Sequence, residues 1–564
     1  MLGLFAIAVT MAAAEVPPLP ALPPAEMEAR LFADPSQIPP VLRSLGQTLM
    51  TSDAALRGRV ETYAAAMARA RAARVPADLR IVTAFLVVDP LRYTEDAAFR
   101  ARVDALMPRM LTGATPRATR EAALAKLNAG FPIEYATADA IAAAWGLTPR
   151  ASAARKTTYS AKQRFLDDTH GTIEATIVSL GSEFFTAEDA KAFLASLRAS
   201  APARRILVLA DPPMREALRD LPVDMIDTYG RPFTPWPRDP FTVTRTPEGR
   251  VVFVDRPNLQ PNREDDANMV RALVQGLPAS LDTRWKEPRW TVAPFPFHNG
   301  HVLVMPDAAW ISIHTVEIRA LQILGIDRVP VSTFNTAAGI ARYVTAVRQA
   351  AKELETLYGR AVRFVHPLPS PSEPLAKQVT LMQSLGGGGG FDLDSIVTLL
   401  PSADGKLHAL VGDITAGATL ARKADWTAAY RAYGFTGERA TLGRRVAEAQ
   451  DFGRAPGLQH FLDTVAAYLA ARNVIVERIP LLDVPYALLT DPAALNGSDF
   501  LITWHNVVLE KKHAAGFASL LPEGDAAARA AFTRAGYHLD LLAPLVRSIV
   551  LNGGYRCASN HVRK

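Results

Sequence analysis

A mixed α/β fold of repeated ββαβ units, preceded by a separate helical region, is what this sequence predicts, on three observations. Beyond about residue 150 short apolar runs alternate with helical patterns. Several of those runs come as pairs joined by turns. About 390 residues then divide among roughly five such units, which suits a repeated architecture better than a single Rossmann-type sheet. The full chain of 564 residues exceeds one ordinary core, so two domains are expected.

The first element is the apolar run LGLFAIAVTMAAA, Leu2 to Ala14. It ends in small residues and is too short to span a bilayer comfortably, so residues 1–14 read as a secretory signal, although no Lys or Arg precedes them. The expectation is an exported protein, periplasmic or extracellular. A Pro-rich linker (15–25) follows. Residues 26–150 are Ala- and Arg-rich, with apolar residues recurring at three- and four-residue spacing, as in AALRGRVETYAAAMARARAARV; they predict an all-helical accessory domain and contain no catalytic constellation.

The texture changes at the polar stretch RASAARKTTYSAKQ, and residues 160–564 are expected to form the second domain. TIEATIVSL and RRILVLAD read as buried strands, and the segment between them begins with a Thr cap and has helical period. Strand pairs and helices then alternate: FTVTRTPEGRVVFVDRP, a helix at DDANMVRALVQGLP, the pair HVLVMPDAAWISIHT, and a long helix at AAGIARYVTAVRQAAKELETLYG. After five glycines at 386–390, readable as a linker or a flap, come DSIVTLLP, KLHALVGDI, IVERIPLL, FLITWHNVVLE and the terminal run SIVLNGGYRC.

Composition excludes more than it selects. The net charge of +6 is dispersed, with no basic stripe interleaved with aromatics, so nucleic acid is not an expected partner, and no stable membrane insertion is expected. Oligomeric state has no signature here. Cys557 is the only cysteine, so no intramolecular disulfide can form. A lone thiol is either a small buried hydrophobe or a group with a chemical use, and composition alone leaves both open.

Three segments far apart in sequence carry a resemblance: Trp236-Pro237-Arg238-Asp239, Asp392-Leu393-Asp394-Ser395, and Gly553-Gly554-Tyr555-Arg556-Cys557. In this order and in strand contexts, they resemble the W-x-R-D, H-x-D-[TES] and G-G-x-[RH]-C motifs of the guanidino-group-modifying penteins, which include arginine, agmatine and peptidylarginine deiminases and the amidinotransferases. A fourth segment, His298-Asn299-Gly300-His301-Val302-Leu303-Val304, keeps the frame of that family's E-G-G-D-V-L-V with different polar residues. The resemblance covers about residues 165–564.

What it implies is a five-bladed ββαβ propeller with a central site. Cys557 would be the nucleophile, Asp239 and Asp394 the carboxylates gripping the substrate's N–H edges, and Arg238 a substrate-binding neighbour. The implied reaction is hydrolysis of a small-molecule or peptide guanidino group, releasing ammonia and leaving a ureido product, without cofactor or metal. Dihydrolase and amidinotransferase variants share the covalent chemistry, and a catalytically silent binding protein is the competing class. The chemistry itself demands such parts: a planar, resonance-stabilised cation needs carboxylate grips, a thiolate and a proton shuttle.

One departure stands out. The family's catalytic His is Asp392 here, and the position of its Glu partner holds His298. The two groups have exchanged places, which predicts His298 as general base and Asp392 as the carboxylate that orients it. His298, His301, Asp392 and Cys557 are also zinc-ligand types, but two histidines three apart on a strand point to opposite faces unless Asn299-Gly300 forms a bulge, so no metal is expected. His314, His505, Asn506 and Asp413 lie near strand ends, where they could line the pocket, but a structural role is favoured for each and they are left out of the catalytic set.

Overall fold

A computed structural model describes residues 155–564, apart from 161–163, 170, 229–232, 258–262, 264–265, 267, 327, 330, 388–391, 403 and 491–498. The expected signal segment 1–14, the linker 15–25 and the helical region 26–150 lie outside the described residues, as does most of the glycine run.

The pattern is mixed α/β, and one connection rule recurs in five sheets. Each has an antiparallel strand pair followed, after helix, by a strand that returns parallel to the second. In one sheet Phe241–Arg245 pairs antiparallel with Val251–Asp255, which pairs parallel with Arg289–Val292; Arg164–Phe165 adds to its edge. The same rule joins Val302–Val304, Ala308–Ile311 and Ala361–Phe364, then Val397–Pro401, Leu407–Asp413 and Ile475–Pro480, then Val508–Glu510, His513–Phe517 and His538–Leu542. In the fifth sheet the first member comes from far along the chain: Ser559–Arg563 pairs antiparallel with Ile173–Leu180, which pairs parallel with Arg205–Ala210 and through it with Asp224–Asp227. Leu482–Pro485 and Asp499–Ile502 form a separate hairpin.

Local chemistry accounts for these elements. Ile173–Leu180 is buried at every position, as expected of a strand covered on both faces. The helix Ala187–Ser200 begins where Thr186 accepts a hydrogen bond from the Asp189 N–H, and it buries Ala190, Phe193, Leu194 and Leu197, one face of a 3.6-residue period. The long helix Ala337–Tyr358 is capped by Thr336 and stopped by Gly359, whose φ of 65° is left-handed. Among the described residues no helix is long and apolar enough to cross a membrane.

Two readings differ from the sequence expectation. FLITWHNVVLE is not one strand: Asp499–Ile502 and Val508–Glu510 belong to different sheets, and the residues between them turn inward. The terminal run SIVLNGGYRC opens on the end of the helix Val546–Val550, and the strand lies after the thiol, at Ser559–Arg563. In both cases apolar content suits a strand, but a polar residue that must face a buried site breaks the run.

Each sheet's first strand is preceded by a short polar turn. Those five turns carry Asp239, His298 with His301, Asp392 with Asp394, Asn506, and Cys557. The fold thus delivers one set of side chains per unit.

Phe193 is fully buried and meets Phe517 and Tyr555 at ring-centroid distances of 5.7 and 6.1 Å. Phe193→Ala is expected to cost about 3–5 kcal/mol in denaturant unfolding. A loss below about 1 kcal/mol would show that this packing, which backs the Cys557 turn, contributes little.

Candidate active site

Close approach of backbones explains the glycines of the thiol segment. A side chain on Gly553 would overlap the Trp236 ring, whose Nε1 donates to Ser548 Oγ at 3.1 Å. The Trp236 turn is in turn tied to the thiol turn, since the Arg238 N–H donates to the Cys557 carbonyl at 3.4 Å. Thus two of the sequence motifs are in direct contact.

Cys557 is buried, and its sulfur lies 3.9 Å from Asp392 Oδ2 and 3.9 Å from Asp394 Oδ1. Asn506 holds it from a third side. Its Nδ2 donates to the sulfur at 3.0 Å and to Asp394 Oδ1 at 2.9 Å, while its Oδ1 accepts from the Cys557 N–H at 3.0 Å. Asn506 reads in the sequence as a residue near a strand end, for which a structural role is favoured over lining the pocket. The available signal was positional, a polar residue just ahead of a strand, as in the three recognised motifs.

The carboxylates are set by resident arginines. Arg556 bonds Asp394 Oδ2, donates to Asp168 Oδ2 at 2.9 Å and to the Val302 carbonyl at 2.7 Å. Arg263 donates to Asp239 Oδ2 at 2.5 Å and to Asp266 Oδ2 at 2.7 Å, and its guanidinium lies 5.1 Å from the Trp236 ring centroid. Arg238 is engaged by Asp168 Oδ1 at 3.2 Å, so its side chain acts on the site through that acid. Asp239 Oδ1 is buried and has no hydrogen-bond partner among the described residues.

The histidines occupy the far side of Asp392. Asn299–His301 forms a 3-10 turn rather than extended strand, so His298 and His301 do not face opposite ways. Their rings are 4.6 Å apart, and His298 Nδ1 and His301 Nε2 lie 3.4 and 3.3 Å from the same atom, Asp392 Oδ1. A side chain on Gly300 would overlap the Asp392 carboxylate, so glycine is what lets the acid sit over this turn. The predicted trio of Cys557, Asp392 and His298 is therefore linked in that order, with Asp392 in contact with both the sulfur and the imidazole.

Burial dominates the electrostatics. It pushes the Cys557 thiol well above its ordinary range, the carboxylates of Asp394, Asp392 and Asp239 push the same way, and the Asn506 amide opposes them. Burial also raises Asp392 well above the usual carboxylate range, with Asp239 and Asp394 adding repulsion, and it raises Asp394 despite Arg556. Burial would raise Asp239 too, but Arg263 holds it below its ordinary value. His298 is lowered to about 3 by burial and then by Arg256, and burial takes His301 well below the imidazole range. In each of these groups except Asp239, burial prevails and favours the neutral form.

No family description matches the chain, and no curated protein matches it. Among solved structures it is similar to agmatine deiminase of C. jejuni, at 11% identity and a TM-score of 0.41, over 71% of this chain and 96% of that one. It is also similar to agmatine deiminase of Enterococcus faecalis, at 10% identity and a TM-score of 0.40, over 72% of this chain and 96% of that one. Identity at this level assigns no activity.

The raised thiol has a direct consequence. Alkylation of Cys557 by iodoacetamide should be slow at neutral pH and should still be accelerating above the ordinary thiol pKa of about 8.5. Asp239→Asn removes a carboxylate that Arg263 keeps ionised and that raises the thiol, so it should react several-fold faster than wild type at a fixed neutral pH. A rate that levels off below pH 8 in wild type would contradict this electrostatic account.

Proposed function

We propose that this protein hydrolyses a guanidino group through a covalent adduct on Cys557. The observation that carries the reading is the position of the sulfur, 3.9 Å from one oxygen of each of two carboxylates. A thiol placed there is suppressed until a cation arrives, and a planar cation with N–H edges is the ligand that such flanking acids grip. The orphaned buried oxygen of Asp239 supports the same reading, because it offers a further acceptor to an N–H donor.

Charge balance adds support. Arg238, Arg263 and Arg556 are committed to Asp168, Asp239, Asp266 and Asp394, and Arg256 lies within electrostatic reach of Asp239 and Asp392. Four acids are thereby offset by four arginines. Asp392 and Cys557 remain as the groups whose ionisation a bound guanidinium favours.

The proposed sequence assigns proton transfer to the Asp392–His298 pair. Asp392 Oδ2, the carboxylate atom in reach of the sulfur, accepts the thiol proton while sulfur attacks the central guanidinium carbon. The pair then protonates the departing nitrogen as its C–N bond breaks, and ammonia leaves. Water attacks the resulting thiouronium carbon, giving up a proton to the pair, and the C–S bond breaks to return the thiol and a ureido product. In this reading Asp392 is the immediate acid/base and His298 its partner, the reverse of the order that the motif exchange alone suggested. Asp239 and Asp394 grip the substrate, and Arg238 positions the site through Asp168. The five ββαβ sheets are proposed to stand as propeller blades around this centre.

The test is release of ammonia and ureido product from arginine, agmatine, methylated arginines and an arginine-containing peptide. Cys557→Ala should abolish turnover, and Asp392→Asn should lower kcat by at least ~100-fold, the usual contribution of a positioned acid/base. Turnover that survives Cys557→Ala, or its absence with every compound, would sink the proposal.

A further inference from the structure

The Asn299–His301 turn gathers donors in a way that proton transfer alone does not require. Two imidazole nitrogens, His298 Nδ1 and His301 Nε2, approach one carboxylate oxygen, Asp392 Oδ1, at 3.4 and 3.3 Å. These separations exceed the range of about 2.7–3.2 Å typical of N–H···O bonds. They match the ~3.3 Å edge of a tetrahedron whose centre lies ~2.0–2.1 Å from each corner, the distance at which zinc binds imidazole nitrogen and carboxylate oxygen. The three donor atoms all lie within 4.8 Å of one another.

The surroundings hold these donors in place. His301 Nδ1 lies 3.3 Å from Ser312 Oγ, and the His301 carbonyl accepts from Thr315 Oγ1 at 2.9 Å. The His298 N–H donates to the Thr315 carbonyl at 3.2 Å. One 3-10 turn, Ile313–Val316, and its capping Ser312 thus brace both histidines, the outer support that metal-binding imidazoles require. Asp392 rests over Gly300, where any side chain would displace it. Asp239 and Asp394, both within electrostatic reach of Asp392, supply negative potential, opposed by Arg263 and Arg256.

We propose that His298 Nδ1, His301 Nε2 and Asp392 Oδ1 form a three-donor site for a first-row divalent transition-metal ion of the zinc class, with a fourth position open to water. Two imidazoles and one carboxylate suit such an ion better than calcium or magnesium, which take oxygen donors. The site does not need Cys557, which contacts the other oxygen of Asp392. An ion bound here takes His298 and Asp392 out of proton transfer, so the loaded chain is the inactive form of the site; that consequence rests on the guanidino reading, whereas the metal site does not.

The experiment is titration of the full chain, dialysed against a chelator, with zinc by calorimetry and with cobalt(II) by visible absorption. Expected are one ion per chain and the intense visible bands of four-coordinate cobalt. His301→Gln and Asp392→Asn should each weaken zinc by at least ~100-fold, beyond the loss seen when only an outer partner is removed. His314→Gln, whose imidazole lies 3.3 Å from both Glu317 Oε2 and the Leu385 carbonyl, should leave affinity unchanged. Zinc should also raise the unfolding temperature of wild type and not that of His301→Gln, which separates a lost ligand from a lost fold. Absence of uptake, or uptake equally strong in His301→Gln and Asp392→Asn, overturns the site. Zinc uptake together with no ammonia release by the metal-free chain from any guanidino compound would remove the hydrolase reading and keep the metal site; ammonia release by the metal-free chain with no zinc uptake would do the opposite.

Discussion

The arrangement depends on one buried ion network centred on Arg556. Its guanidinium bonds Asp394, Asp168 and the Val302 carbonyl, so it links the thiol turn, the Asp392–Asp394 turn, the segment after Phe165 and the first strand of a third unit. Taking such charges out of water is costly unless each finds partners, and removing one partner leaves the others buried and unmatched. That penalty works as a constraint on register. The four segments must meet in one relative position or leave a charge stranded, and this position sets the thiol beside two carboxylates.

Arg263 does for Asp239 what Arg556 does for Asp394. In the proposed chemistry both acids bind a substrate guanidinium, so each already faces a guanidinium from its own chain. A carboxylate has two oxygens, and the resident arginines take Oδ2 of each. Oδ1 of Asp239 is left without a hydrogen-bond partner among the described residues, and Oδ1 of Asp394 faces Asn506 and the sulfur. The acids are oriented before any ligand arrives, which is the usual means by which a site avoids reorganising as charge develops.

Much of the site was legible because its residues are individually rare or fall into local motifs. Cys557 stands out as the only thiol, and Asp239, Asp392 and Asp394 sit in short segments with recognisable order. The approach of His298 to Asp392 also follows from the sequence, from two departures that make sense only together. Asn506 was hidden by the apolar residues on either side, which look like continuous strand until the inward turn at 503–507 is seen. His301 was hidden by periodicity: alternation puts it opposite His298 in a strand, and a 3-10 turn reverses that. Arg263 and Asp266 carried no signal, because their role lies in a pairing with the turn of Asp239 that no local pattern encodes. The alternation of strand pairs and helices was readable from hydrophobic period, whereas which strand completes the sheet of Ile173–Leu180 was not.

That last pairing has a consequence for how the protein comes into being. Ser559–Arg563 lies beside Ile173–Leu180, so the strand that immediately follows the thiol is held by a partner most of the described chain away. Bringing such distant segments together demands the largest loss of chain entropy, and contacts of this separation form late and slowly. Until that pairing forms, the segment carrying the thiol has no strand to anchor it, so reactivity depends on closing the longest loop of the described chain.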